Sequence, residues 1–175
     1  ALASAGEHLT ELLASRRGRP MKRTAGESSL AVLPVVSLSV GRPQEALADA
    51  MTDALITELT LCRGLRVISR ISSMVYKDRR MTLPDIAEEL GVEWILVASI
   101  AKSGGEFRIA AQLVDAGSDE NRWAHSYTRR CRNVLSMQSE VAAAIARDVN
   151  AAVLAREEAS GISPPPGNQV APINS

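Results

Sequence analysis

The feature that most constrains the fold is an apolar run, Ser29 to Ser37 (SLAVLPVVS), followed after a short turn by the helical pattern Arg42 to Cys62. Leu30 to Val36 is apolar at nearly every position, as expected for a strand covered on both faces. Pro34 removes one ladder donor and places the run near an edge or a bend. Pro43 suits an early helix position. Beyond it Leu47, Met51, Leu55, Leu59 and Cys62 recur three or four residues apart, with Glu45, Asp49, Asp53 and Glu58 off that stripe. The strand and helix could open a dinucleotide-binding crossover, but that needs GxGxxG directly after the strand. Here the turn is SLSVGRP, with a single glycine.

The rest of the chain reads as elements that pack on this pair. Gly64 stops the helix, and Leu65 to Ser69 is a short strand, so a right-handed parallel crossover is expected. Arg70 to Tyr76 is either a short helix or an irregular turn; its pattern leaves both open. Leu83 to Leu90 is a helix with Pro84 in its first turn and Gly91 at its stop. Trp94 to Ala101 is an apolar strand, Ser103-Gly104-Gly105 a tight turn, and Phe107 to Val114 an alternating, half-covered strand. Arg122 to Arg130 alternates as a fifth strand, and Asn133 to Arg156 is a long helix with Val134, Met137, Val141, Ile145, Val149 and Ala152 on one side. The order β-α-β-α-β-β-β-α gives an α/β fold: a mixed sheet of about five strands with helices packed on it. Residues 1–28 are expected to hold a short helix (Leu2 to Ser15) and a basic linker, 29–156 the α/β domain, and 157–175 a disordered Pro/Gly-rich linker.

Composition narrows the function. Aromatics are 3% of the chain, so base-stacking nucleic-acid modules are disfavoured, and Lys plus Arg balances Asp plus Glu at 20 each, leaving no net field to draw in a polyanion. No apolar run reaches the roughly 20 residues needed to span a bilayer. Cys62 and Cys131 are isolated, without CxxC spacing or a neighbouring histidine, and are expected to be reduced thiols unless the fold joins them.

Leu30 to Val153 resembles the TolB amino-terminal-like domain of bacterial signalling proteins. The resemblance rests on an ordered series of blocks: AVLP (Ala31 to Pro34), ADAMTDALITELT (Ala48 to Thr60), GLRVISRISSMVYK (Gly64 to Lys77) and IAEELGVEWILVASIAKSGGEFRIAAQLVDA (Ile86 to Ala116). It continues through RWAHSYTRR (Arg122 to Arg130) and LSMQSEVAAAIA (Leu135 to Ala146). Val35, Ser37 and Ala50 depart from the family's usual Phe, Asn and Gly. The resemblance implies an α/β unit between an amino-terminal output module and carboxy-terminal tetratricopeptide repeats, the module being an adenylate cyclase, a winged-helix DNA-binding domain or a Ser/Thr protein kinase. It implies no catalysis and no cofactor for the domain itself. Ser4 to Arg17 is similar to the final helix of bacterial Ser/Thr kinase domains, which would place a kinase upstream.

Within the chain no kinase string is present: there is no Gly-rich phosphate loop and no metal-binding Asp motif. His125, beside Trp123 and Tyr127 with Glu120 nearby, could suggest acid–base work, but a strand histidine with ordinary hydrogen bonds is the favoured reading. Asp49 and Asp53 are four apart on a helix, yet they lack a third convergent metal ligand. The best ligand candidate is a small anionic site, a phosphate or nucleotide, built from Arg66, Arg70, Ser72, Ser73 and Lys77, with Ser69 adjoining. Local capping by those hydroxyls is the competing reading. The expected role is a non-catalytic regulatory or interaction domain, binding a protein partner or a second copy and contacting adjacent domains of its own chain. A cytoplasmic location is expected, or a periplasmic one if a membrane span lies upstream.

Overall fold

The computed structural model describes residues 26–130 and 133–159. The expected amino-terminal helix, most of the basic linker, Cys131 and nearly all of the carboxy-terminal linker lie outside these residues. Ten elements follow in order: β1 (Ser28–Val32), β2 (Val36–Ser37), α1 (Arg42–Thr60), β3 (Leu65–Val67), α2 (Arg70–Met74), α3 (Leu83–Leu90), β4 (Trp94–Ser103), β5 (Glu106–Asp115), β6 (Glu120–Arg130) and α4 (Val134–Ala159). They form one mixed sheet in the order β3-β1-β4-β5-β6. β1 runs parallel to β3 and β4, and β4, β5 and β6 form an antiparallel meander.

The expected single strand Leu30 to Val36 is two strands in one lane. Val32 pairs with Leu96 and Val36 with Ser99, so this lane spends four residues where β4 spends three. Pro34 sits in the extra length, where its missing N–H costs no ladder bond. Leu33 still donates its N–H to the Leu96 carbonyl at 3.0 Å. Val35, now turned out of the ladder, donates to Thr52 Oγ1 of α1 at 2.9 Å, and the same hydroxyl donates to the Ala48 carbonyl at 2.9 Å. Helix α1 is thereby pinned to the break that Pro34 creates.

The apolar stripe of α1 lies where its spacing requires. Met51, Leu55 and Leu59 are fully buried, with Leu47 and Cys62 packed at their margin. They meet Leu30 and Val32 of β1, Leu96 and Ile100 of β4, and Val141, Ile145 and Val149 of α4 in the main core. Each such side chain contributes about 1.5–3 kcal/mol of burial. The other sheet face carries a smaller cluster, in which Ala31, Ile68 and Ile95 meet Ile86 and Ala87 of α3 and the adjoining Val92. The continuous apolar character of β1 and β4 follows from lying between these two layers.

The ends are set by local chemistry. Thr82 accepts the Asp85 N–H at the start of α3, and Gly91 at φ 64° ends it in the left-handed conformation. Asn133 Oδ1 accepts from the N–H groups of Leu135 and Ser136 ahead of α4. The segment whose pattern left helix and turn open forms the short helix α2.

Candidate interaction surface and the predicted anion site

Four of the five predicted anion-site residues lie on α2 or just after it, and Arg66 is on β3. Arg70 and Lys77 turn onto α1: Arg70 Nε lies 2.9 Å from Asp53 Oδ1, a charge pair whose angle is not that of a hydrogen bond, and Lys77 Nζ donates to Asp49 Oδ1 at 2.8 Å. The hydrogen bond to Asp49 is the first cause holding the Lys77 ammonium above its ordinary pKa. The spacing of Asp49 and Asp53, which invited a metal reading, thus places one carboxylate against each cation. Among the described residues no group of three acidic, histidine or cysteine side chains converges as a metal site would.

The serines serve the backbone. Ser73 is fully buried and its hydroxyl donates to the Ser69 carbonyl at 3.2 Å, while Ser72 Oγ lies 3.2 Å from Ser69 Oγ at the surface. Arg66 is half-buried, and its enclosed Nη1 has no hydrogen-bond partner among the described residues. The structure therefore brings Arg70 and Lys77 together along α1, keeps Ser72 at the surface beside them in sequence, and turns Ser73 inward. Ile71 and Val75 on the outside of this segment are 83% and 53% exposed.

The opposite side of the sheet offers a larger surface. β6 ends the sheet order, so among the described residues its outer backbone edge has no neighbouring strand. One face of β6 is held to the fold. Trp123 packs on the core, Tyr127 donates its hydroxyl to Asp148 of α4 at 2.5 Å, and Arg129 Nε donates to Glu140 of α4 at 3.1 Å. Burial, followed by the Asp148 hydrogen bond and charge, pushes the Tyr127 phenol well above its ordinary pKa. His125 lies between the two aromatics, its ring centroid 6.4 Å from that of Trp123 and 4.6 Å from that of Tyr127. It is exposed, and its partners are rings, an arrangement suited to positioning a surface more than to proton transfer. On the other face Ala124, Ser126 and Thr128 are exposed next to Arg108 and Gln112 of β5. Among the described residues no helix covers them, because α3 reaches only the β1–β4 part of that face.

A third feature was not legible in the sequence. At the sheet end where β1 starts and β5 finishes, Asp115 is 2% exposed and is met by Arg156 Nη2 at 3.0 Å, Arg122 Nε at 3.6 Å and the Gly117 N–H at 3.0 Å. The Arg156 guanidinium also stacks 5.0 Å from the centre of the fully buried Trp94 ring. A cavity of about 400 Å³ opens here, lined by Ser29, Glu88, Glu93, Asp115 and Arg156 among others. Next to it Ser28 Oγ donates to Glu157 at 2.6 Å, joining the first strand to the last turn of α4. Arg122 reaches Asp115 because a bulge in β6, opposite Leu113 and Val114, gives that strand one extra residue there. The arginines that meet Asp115 lie 7 and 41 residues on, and no local pattern links them to it.

No family model matches this chain. A protein of Rhizobium meliloti named "Putative adenylate cyclase 3" is 32% identical over 139 residues, which are 79% of this chain and 24% of that protein. The chain therefore spans about a quarter of the length of that curated relative. Similar solved structures include Lipoprotein GNA1162 from Neisseria meningitidis, at 20% identity and TM-score 0.49, covering 70% of this chain and 97% of that one. The LpoB C-terminal domain from Escherichia coli matches at 18% and 0.48, covering 68% of this chain and 93% of that one. TolB from Acinetobacter baumannii matches at 12% and 0.47, covering 68% of this chain and 27% of that one.

Proposed function

We propose that this chain is a non-catalytic regulatory or protein-interaction domain of a bacterial cytoplasmic signalling protein, relaying between an output module and carboxy-terminal repeats. The observation that carries this reading is β6, an eleven-residue strand that among the described residues ends the sheet and borders a face no element covers. Long edges are normally blunted by charged side chains, Pro, a bulge or a covering element. In β6 the charges and the bulge lie toward its ends, at Glu120, Arg122, Arg129 and Arg130, so the template for strand addition is the uncharged middle from Trp123 to Thr128. The relay is supported by the Ser28–Glu157 hydrogen bond, through which a pull on either end of the domain reaches the other. The likeness to a quarter of a protein named as an adenylate cyclase supports a cyclase as the parent enzyme, with its catalytic module outside this sequence; a Ser/Thr protein kinase parent rests only on the resemblance of Ser4 to Arg17.

The test is made in the full-length parent. Ala124→Lys with Ser126→Lys places two charges on the uncovered face without touching the core. Loss of assembly, or of control over the parent's enzymatic activity, is expected with the fold retained by circular dichroism. Unchanged assembly and unchanged control would remove the interaction reading.

A second reading, a sensor for a small anion such as a nucleotide, is favoured by one observation: the enclosed Nη1 of Arg66, without a partner among the described residues, close in sequence to Arg70, Ser72, Ser73 and Lys77. Melting of this chain against nucleotides and inorganic phosphate should show saturable stabilisation that Arg66→Ala and Arg70→Ala abolish. A flat response across the panel discards it.

A further inference from the structure

We propose that the open half of the sheet face that carries α3 is the seat of this chain's own amino-terminal segment, Leu2 to Ser15, which a protein partner would have to displace. The competition rests on the interaction reading; the docking does not. The face has room for a helix. Val36 of β2, Ser99 of β4, Ala110 of β5 and Ser126 of β6 stand in one row across it, each in register with the next. Val36 is 54% exposed, and Leu38, two residues on, is 67% exposed. The Leu38 N–H still donates to the Ile100 carbonyl at 2.8 Å, so this lane runs that far and alternation keeps both side chains on one face. α3 covers only the β1–β4 part of the layer. What it leaves is a strip of small side chains flanked by two exposed aliphatic ones.

The segment Leu2 to Ser15 supplies what the strip lacks. At about 100° per residue, Leu2, Leu9, Leu12 and Leu13 fall within roughly 100° of one side of a helix, with Glu7 and Glu11 opposite. Large leucines interlock over small sheet residues where two bulky faces would not. The connection is long enough. Twelve residues, Arg16 to Glu27, join the segment to Ser28 and span about 40 Å when extended. From Ser28 the row of Ser99 and Ala110 is seven residues up the sheet and two strands across, about 25 Å away. The path also suits the charges of the connection. Arg16, Arg17, Arg19, Lys22 and Arg23 cross the sheet end beside exposed Glu88 and the carbonyl end of α3 at Gly91, which line the cavity next to Ser29. Residues 160–175 leave from the same end, but they carry Pro164, Pro165 and Pro166 and no apolar stripe. A segment seated here is not the last helix of an upstream kinase domain, so the two uses of Ser4 to Arg17 exclude each other.

Amide hydrogen exchange of the full chain tests this. A helix of fourteen residues is marginal in water on its own, so the free peptide 1–15 is the reference. Amides of residues 9–14 should exchange at least about tenfold more slowly in the chain than in the peptide. Ala124→Lys with Ser126→Lys should return them to the rate of the peptide, while the amides of Val141 to Val149 in α4 stay protected and show that the variant is folded. Leu9→Asp with Leu12→Asp should have the same effect from the other side of the contact. Peptide-like exchange in the wild-type chain, or protection that survives the face variant, would overturn the docking. If exchange is peptide-like yet the face variant still disrupts assembly or control in the full-length parent, only the docking fails and the interaction reading stands. If the docking holds and that variant leaves the parent unchanged, the interaction reading alone fails.

Discussion

Thr52→Val isolates the device that joins α1 to the break in the first strand. Valine keeps the shape of threonine and replaces the hydroxyl by a methyl group. Thr52 is fully buried, and its Oγ1 is the acceptor that the structure gives to the Val35 N–H, a residue only 2% exposed. Loss of that acceptor leaves a buried donor unsatisfied, at about 1–3 kcal/mol. The added methyl returns about 0.8 kcal/mol of burial. The Ala48 carbonyl loses the Thr52 hydroxyl but lies within α1, where the backbone still serves it. The net expectation is a loss of about 1 kcal/mol and up to 2. Read by urea denaturation, with a slope of about 2 kcal/mol/M, this lowers the midpoint by roughly half to one molar at an unchanged slope. Amide exchange at Val35 should quicken in the same variant. Hydrophobic burial alone predicts the opposite sign, so a Thr52→Val chain as stable as the wild type or more so would refute the account of how Pro34 is accommodated.

Other perturbations test separate parts of the fold. Asp115→Asn leaves Arg122 and Arg156 without their buried carboxylate; because both arginines are more than 40% exposed, the loss should be about 1–3 kcal/mol, below that of a fully buried pair, and urea denaturation showing less than about half a kilocalorie would contradict it. Gly91→Ala meets no neighbouring atom but must hold φ 64°, so its cost is conformational, about 1–2 kcal/mol in the same assay, and a neutral result would mean that the end of α3 is not left-handed. Both tyrosines resist ionisation. Burial and then the Glu89 hydrogen bond push Tyr76 up to about 12, and Tyr127 is raised further by burial and Asp148. The unfolded chain sheds these protons first, near pH 10, so their contribution to stability is complete below pH 10 and is lost as pH climbs from there through 12. Near-ultraviolet titration of the folded chain should show no phenolate at pH 10, and a midpoint there would refute the packing of both side chains.

What the sequence made legible follows from which forces are local. The stripe of α1, the Pro84-to-Gly91 limits of α3 and the Gly104-Gly105 turn are all set by contacts within a few residues, and each lies where its pattern placed it. The single strand Leu30 to Val36 was misread because an apolar run records burial and not hydrogen bonding. Pro34 and Val35 are both buried and both outside the ladder, and only the β4 register exposes the extra residue. The anion candidates lie on β3, on α2 and just after it, but sequence spacing does not reveal that Asp49 and Asp53 sit against Lys77 and Arg70. That pairing depends on how α2 folds back along α1, a tertiary fact with no local signature.

The open edge of β6 shows a different limit. Alternation assigns each residue of a strand to a face, and it did so here: Trp123, Tyr127 and Arg129 face α4, while Ala124, Ser126 and Thr128 face outward. Alternation is silent on whether a strand has one neighbour or two, because that is decided by chain topology. Once the sheet order leaves β6 with a single neighbour among the described residues, its outer N–H and C=O groups become a physical edge. The bulge at Arg122 limits that edge: it sets Glu120 on the side of Asp115 and α4, and Arg130 on the other side with Glu106, so only the stretch from Trp123 to Arg130 alternates without interruption. Counting residues along the sequence would put Glu120 and Arg130 on one face, and only the β5 register shows that they are not.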